Sequence, residues 1–160
     1  MSTTRCGIGY DVHRLAKDRQ LILGGVQIPH ARGLEGHSDA DVLCHAIADA
    51  LLGAVAAGDI GQHFPNTDES IRGISSLEIL KRVAALLTQK KARAVNLDTT
   101  VIAETPRILR HAPAMRKKIA DAIGLSESNI SIKATTNEML GAIGRGEGIA
   151  AIAIATVEQD

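Results

Sequence analysis

Residues 33–53 read GLEGHSDADVLCHAIADALLG, a polar entry running into a greasy stretch at helical spacing. Val42, Leu43, Ile47, Leu51 and Leu52 must face a core, yet Asp39, Asp41, His45 and Asp49 are threaded among them. Ser38 with Asp41 three residues on is a variant capping box with Asp in place of Glu, so a helix is expected from Ser38 to about Ala57. Cys44 within it reads as a buried structural thiol. So many ligating groups where a helix meets its hydrophobic partner call for a second element. GYDVH, residues 9–13, supplies it.

Outward from that helix the chain alternates strand and helix patterns. Residues 5–13 read as a strand, and RQLILGGVQI (19–28) as a strand interrupted by a Gly-Gly turn or bulge. Segment 30–38 and GDIGQHFPNTDES (58–70) read as loops. Residues 75–90 have helical spacing behind a Ser-Ser-x-Glu start, and residues 113–124 form a helix begun by Pro113 and stopped by Gly124. ARAVNLDTTVIAE (92–104), NISIKATT (129–136) and GIAAIAIATVE (148–158) read as strands. Residues 104–113 are expected as a loop, and 137–148 as a short helical turn or loop. The order implies one α/β domain of the α+β type over residues 1–160, with a mixed sheet and helices on one face.

Bulk composition bounds the partners. Lys plus Arg equals Asp plus Glu at 18 each, so no global field draws nucleic acid or an anionic membrane. One Tyr, one Phe and no Trp leave a core of Ala, Ile, Leu and Val, and a chain this small gains from association. Two cysteines in no CxxC pattern, no leader-like N-terminus and no apolar run of about 18 residues lead to an expectation of a cytoplasmic protein.

Asp11 and His13 lie two apart on a strand and project from one face. With His45 they make a ligand set suited to Zn²⁺, leaving a fourth position for water or substrate. Asp41 and Asp49, one turn either side of His45, are either orienting acceptors for its imidazole or solvated charges. His37 and Ser38, at the loop and cap, are placed to meet a phosphate with free helix N–H groups. Asp59, Thr67 and Asp68 share one turn-rich loop; Lys133, Thr135, Thr136 and Glu138 share another, where hydroxyls and a lone Glu suit phosphates and Mg²⁺. Together these loops and the ligand triad point to a polyphosphate site. Two rival readings are a metal-dependent phosphohydrolase and a non-catalytic carrier whose zinc is purely structural.

GYDVHRL, ILGGVQIP, GLEGHSDADVLCHAIADALLGA, GDIGQHFP, AETPRILRHAPAMR and KATTNEMLGAIGRGEGIA together resemble the 2-C-methyl-D-erythritol 2,4-cyclodiphosphate synthase family over nearly the whole chain. The resemblance implies a lyase of the non-mevalonate route to isoprenoids. Its substrate would be 4-diphosphocytidyl-2-C-methyl-D-erythritol 2-phosphate, cyclised with loss of CMP. From its length the chain is expected to be the single-enzyme form, without the cytidylyltransferase domain fused to some members. The resemblance further implies Zn²⁺ on Asp11, His13 and His45, with Asp11 and His13 also beside substrate, and a second cation, Mg²⁺ or Mn²⁺, at Glu138. It gives His37 and Thr136 the stabilisation of the transition state and Ser38 a phosphate. Asp59, Ile60 and Gly61, with Phe64, Pro65, Asn66, Thr67 and Asp68, match the methylerythritol loop. Ala103, Glu104, Thr105, Pro106, Arg107, Ile108 and Leu109, with Thr135 and Thr136, match the cytidine pocket, and Asn137 is a further substrate-binding position.

Glu104 stands where Gln is common, Arg107 where Lys is, Asn137 where Thr is frequent and Ala142 where many members carry an aromatic. The resemblance also implies a homotrimer with sheets around a threefold axis and active sites between subunits. At that axis Arg145 would be repeated three times, balanced by Glu147 or by an isoprenoid diphosphate lying among Ile8, Val12 and Ala142.

Overall fold

The first strand sets the architecture. The computed structural model describes residues 1–160, and strand β1 (Thr3–Ala16) runs well beyond the expected 5–13. Its odd-numbered residues Gly7, Gly9, Asp11, His13 and Leu15 turn one way, while Ile8, Tyr10 and Val12 are exposed on the other face. β1 pairs antiparallel along its length with β7 (Gly148–Gln159), β7 pairs antiparallel with β5 (Ala92–Ile102), and β5 pairs parallel with β6 (Ile130–Thr135). Residues 33–34, inside an expected loop, add a short strand β4 (Gly33–Leu34) on the other side of β1, giving the order β4-β1-β7-β5-β6. The Gly-Gly pair is the turn of a separate hairpin, β2 (Leu21–Leu23) and β3 (Val26–Ile28), with both glycines at positive φ. No helix is long and apolar enough to cross a membrane.

Helices cover one face of the sheet. α1 (Val42–Ala54) lies over β1 and β7 and is buried on nearly every side, with α3 (Ser76–Gln89) packed against it and α4 (Ala112–Ile123) against α3. Small residues permit the close approach. A Cβ on Gly7 would lie 2.0 Å from the Ala50 carbonyl oxygen, and one on Gly9 would lie 1.9 Å from that of Ala46. Ala151, Ala153 and Ala155 continue this low floor on β7, all fully buried. Leu43, Ile47, Leu51, Leu52, Leu80, Leu97, Met115 and Ile119 fill the space above, each side chain contributing about 1.5–3 kcal/mol by burial. α4 carries Pro113 in its first turn and ends at Gly124 with φ 71°, as the sequence signals imply.

Two expectations are corrected here. α1 begins at Val42, and its cap is Asp41, whose side chain accepts from the Cys44 N–H; Ser38 lies outside the helix. The reason is local: Ala40 sits at φ 56°, a left-handed residue that no right-handed helix can include. The segment 58–70 is not purely a loop, because it contains α2 (Ile60–His63), capped by Asp59, and a 3-10 turn at Glu69–Ile71. Segment 137–148 holds the short helical turn expected there, α5 (Gly141–Gly144).

Candidate active site

The glycine floor brings His45 of α1 over the strand positions beyond Gly9, which are Asp11 and His13. Asp11 Oδ2 lies 2.9 Å from His13 Nε2 and 3.0 Å from His45 Nδ1, and the two nitrogens are 3.2 Å apart. Tetrahedral ligands at about 2.0–2.1 Å from a zinc ion stand about 3.3 Å from one another. The triad needs to relax by only a few tenths of an ångström to enclose such an ion.

The tautomers agree with that use. His13 Nδ1 is 2.7 Å from the Glu35 carbonyl oxygen, which only accepts, so Nδ1 carries the hydrogen and Nε2 has the free lone pair of the neutral ring. His45 Nε2 faces Ser76 Oγ at 2.9 Å and Ser38 Oγ at 3.1 Å, while its Nδ1 faces the triad. Three oxygen and nitrogen ligand atoms thus converge on one point. Burial alone would raise the Asp11 carboxyl; hydrogen bonds and charge from His13 and His45 overcome it and hold the group well below the usual carboxylate range. Burial alone would lower His13, but Asp11 outweighs it, and the imidazole pKa is raised above 6.5.

A cavity of about 260 Å³ opens beside the triad, lined by Asp11, His13, His37, Ser38, His45, Ile60, Gly61, Phe64 and Asn66 among others. His37 lines this cavity, and its Nε2 is buried without a hydrogen-bond partner within the chain. Asp59 is turned toward its own helix, accepting from the Gln62 N–H at 3.0 Å, and Asp68 accepts from the Ser70 N–H at 2.9 Å. Pro65 and Thr67 complete the turn between α2 and Asp68.

A second cavity, about 590 Å³, lies at the carboxyl ends of the parallel pair β5 and β6. Ala103, Glu104, Pro106, Arg107, Ile108, Leu109, Thr135 and Thr136 line it, and Thr105 precedes Pro106 through a cis peptide. Glu104 does not point its carboxylate freely into this space: Oε1 accepts from the N–H of Asn137 at 2.8 Å and of Met139 at 3.3 Å. It braces a turn in which Glu138 (φ 51°) and Met139 (φ 62°) both adopt the left-handed conformation, uncommon for residues with side chains. The Thr136 hydroxyl donates to Glu138 Oε1 at 2.9 Å. Ala142 is exposed on α5, and Arg145 pairs with Glu147 at 2.7 Å. Lys133 is tied to Asp98 at 2.7 Å on the open sheet face.

The two cavities share no lining residue. Asp11 registers with Ala151, Ala151 with Val101 and Val101 with Ala134, three strand steps or roughly 14 Å across the sheet. One chain therefore does not bring the triad to Thr136 and Glu138.

Neither Asp41 nor Asp49 hydrogen-bonds the His45 ring. Asp41 is fully buried and accepts from the N–H groups of Gly24 at 2.9 Å, Gly25 at 2.6 Å and Cys44 at 3.1 Å, tying the hairpin turn to α1. Asp49 accepts from the Ile60 N–H at 2.7 Å. The residues that reach His45 through its far nitrogen are Ser38, Ser76 and, behind Ser76, Asp39. Sequence reading assigned neither Ser76 nor Asp39 a role; the signal available was the pair Ser75-Ser76 at a helix start facing an Asp in SDAD.

A five-stranded mixed sheet carrying an Asp-His-His triad able to hold a divalent cation, with a further imidazole and hydroxyls lining the cavity beside it, fits an enzyme of small substrates. The chain belongs to the YgbB family, whose profile matches residues 4–158. A 2-C-methyl-D-erythritol 2,4-cyclodiphosphate synthase from Alkaliphilus metalliredigens is 57% identical over 155 residues, covering 97% of this chain and 98% of the relative. Among solved structures, the bifunctional IspDF from Campylobacter jejuni superposes with a TM-score of 0.95 at 39% identity, covering all of this chain and 43% of that longer one. The CDP complex of IspF from Plasmodium falciparum gives a TM-score of 0.85 at 33% identity, with 98% and 97% covered.

Proposed function

We propose that this enzyme cyclises 4-diphosphocytidyl-2-C-methyl-D-erythritol 2-phosphate to 2-C-methyl-D-erythritol 2,4-cyclodiphosphate and CMP, in the cytoplasm, as a step of isoprenoid synthesis. An oxygen of the 2-phosphate forms a bond to the β-phosphorus. The bond from that phosphorus to the bridging oxygen breaks, and CMP leaves with the electron pair. No water is consumed and no covalent enzyme intermediate is required, so the protein supplies position and charge.

The observation that carries the reading is the convergence of one ligand atom each from Asp11, His13 and His45 beside a cavity that His37 and Ser38 also line. Zn²⁺ fits this donor set and Mg²⁺ or Mn²⁺ fits the single carboxylate of Glu138; when bound, the cations neutralise phosphate oxygens. The chain's own groups do the rest. His37 and Ser38 hold the phosphate nearest the triad, and the Ile60–Gly61 backbone with Phe64 to Asp68 encloses the methylerythritol. Ala103 to Leu109 with Thr135 takes the cytidine, and Thr136 and Asn137 steady the diphosphate beside Glu138.

A diphosphate spans only a few ångströms, whereas the two half-sites lie roughly 14 Å apart by strand spacing in one chain. The reading therefore includes a homotrimer whose neighbouring subunits contribute one half each. It is supported by the sheet face opposite the helices, where Ile8, Tyr10, Val12, Ile152 and Ile154 form an exposed apolar patch that needs a partner layer. Arg145 would line the axis of that trimer; its pairing with Glu147 leaves an isoprenoid diphosphate there as an added ligand rather than a required one. Incubation with the cytidyl substrate and Mg²⁺ followed by ³¹P NMR tests the function. Cyclic diphosphate plus CMP is expected; linear phosphates would identify a hydrolase.

A further inference from the structure

His45 is the triad member whose orientation depends on a hydroxyl. Its Nε2 lies 2.9 Å from Ser76 Oγ, and Ser76 is fully buried at the start of α3. A hydroxyl can donate or accept, so Ser76 by itself fixes nothing. Asp39 decides the matter. Its Oδ2 accepts from the Ser76 N–H at 2.9 Å, and its Oδ1 accepts from the Ser76 hydroxyl in a very close contact. The Asp41 N–H, at 3.2 Å, also donates to Oδ1.

With its only hydrogen committed to a carboxylate, Ser76 Oγ is left as an acceptor, and His45 Nε2 must be the donor. We infer that Ser76, oriented by Asp39, is the positioning residue that holds His45 as the Nε2–H tautomer and so presents the Nδ1 lone pair to the cation. Ser38 benefits from the same arrangement. Its Oγ, 3.1 Å from His45 Nε2, accepts from the Ala40 N–H at 3.1 Å, so its own hydrogen is free to turn into the cavity toward an anionic oxygen. Asp39 also serves the helix: Ser75, the formal cap of α3, makes no side-chain capping bond, and Asp39 satisfies the first-turn N–H in its place. One carboxylate thus ties the start of α3 to the metal ligand on α1.

The inference rests on the metal reading above, and its test separates the two. Zinc affinity is measured by competition with a chromogenic chelator for the wild type, Ser76→Ala and Ser76→Thr, and long-range ¹H–¹⁵N NMR reports the His45 ring at alkaline pH with and without zinc. Ser76→Ala should weaken zinc binding by about 10- to 100-fold, with Thr, which keeps the hydroxyl, restoring most of it. In the metal-free wild type the Asp11 carboxylate, 3.0 Å from His45 Nδ1, competes with Ser76 for the ring hydrogen, and Ser76→Ala should shift the ring further toward the Nδ1–H form. The spectrum of the zinc-loaded wild type is decisive if the alanine variant does not fold: a His45 ring ligated through Nε2, with its hydrogen on Nδ1, overturns the inference. Unchanged affinity and an unchanged tautomer in folded Ser76→Ala overturn it as well. A wild type that takes up no zinc overturns the metal reading itself.

Discussion

His13 Nδ1 donates to the Glu35 carbonyl at 2.7 Å, and that one bond commits Nε2 of the neutral ring to the triad. Glu35 lies in the stretch between β4 and α1, so the backbone that leads into the helix of His45 also sets the tautomer of a triad member on β1.

Protons and metal should compete at this point. Asp11 raises the His13 pKa above 6.5 in the metal-free protein. A group raised on folding stabilises fully below its unfolded pKa, about 6.5, and that contribution is lost as pH rises through the higher folded value. Metal-free protein should therefore lose melting temperature as pH rises above about 6.5 through the folded value. Zinc requires neutral imidazoles, so its affinity should fall as pH drops through the same window. Parallel trends in melting and affinity would show that His13 is not the shared group.

Chains carrying His45→Ala and chains carrying Glu138→Ala should each lose activity by orders of magnitude. Refolded together, they should recover part of it, because a site built from two subunits can draw its triad from one variant and its Glu138 from the other. Activity assays on the mixture, with mass determination of the assembly, check this. No recovery in a mixed trimer would place the whole site within one chain.

Gly9→Ala should disturb the site without touching a ligand. Its Cβ would fall 1.9 Å from the Ala46 carbonyl oxygen, forcing α1 away from β1 and carrying His45 from Asp11. Overpacking of this kind costs about 1–3 kcal/mol. Thermal unfolding and zinc titration should both report the loss; a variant with wild-type zinc affinity would remove the glycine floor from the account.

Glu104→Ala should raise the Mg²⁺ concentration needed for half-maximal rate, since the turn carrying Glu138 loses the acceptor for Asn137 and Met139. Glu104→Gln keeps an amide oxygen and should stay close to wild type. Equal effects from both variants would mean that the charge of Glu104, and not its bracing of the turn, is what matters.

Much of the fold was legible because its signals are local. Period-two alternation marks β1, β5 and β7, Pro113 and Gly124 bracket α4, and Asp11 and His13 share a face by strand geometry alone. What escaped were relationships settled by packing. Ser38 looked like a cap because it precedes an apolar run, but the positive φ at Ala40 moves the helix start to Asp41. Asp41 and Asp49 stand one turn from His45 on paper; α1 is buried so completely that Asp41 serves the hairpin turn and Asp49 the start of α2. Gly7 and Gly9 were visible as letters, but nothing local announces that a helix backbone will rest on them. Ser76, distant in sequence from His45, is joined to it only once α3 packs on α1.

The most direct measurement of the central claim is the reaction run in ¹⁸O-enriched water, with mass spectrometry of both products. Attack by the substrate's own 2-phosphate puts no solvent oxygen on phosphorus, so the cyclic diphosphate and CMP should both carry unlabelled phosphate. One ¹⁸O in either product would mean that water is the nucleophile, and the enzyme a hydrolase.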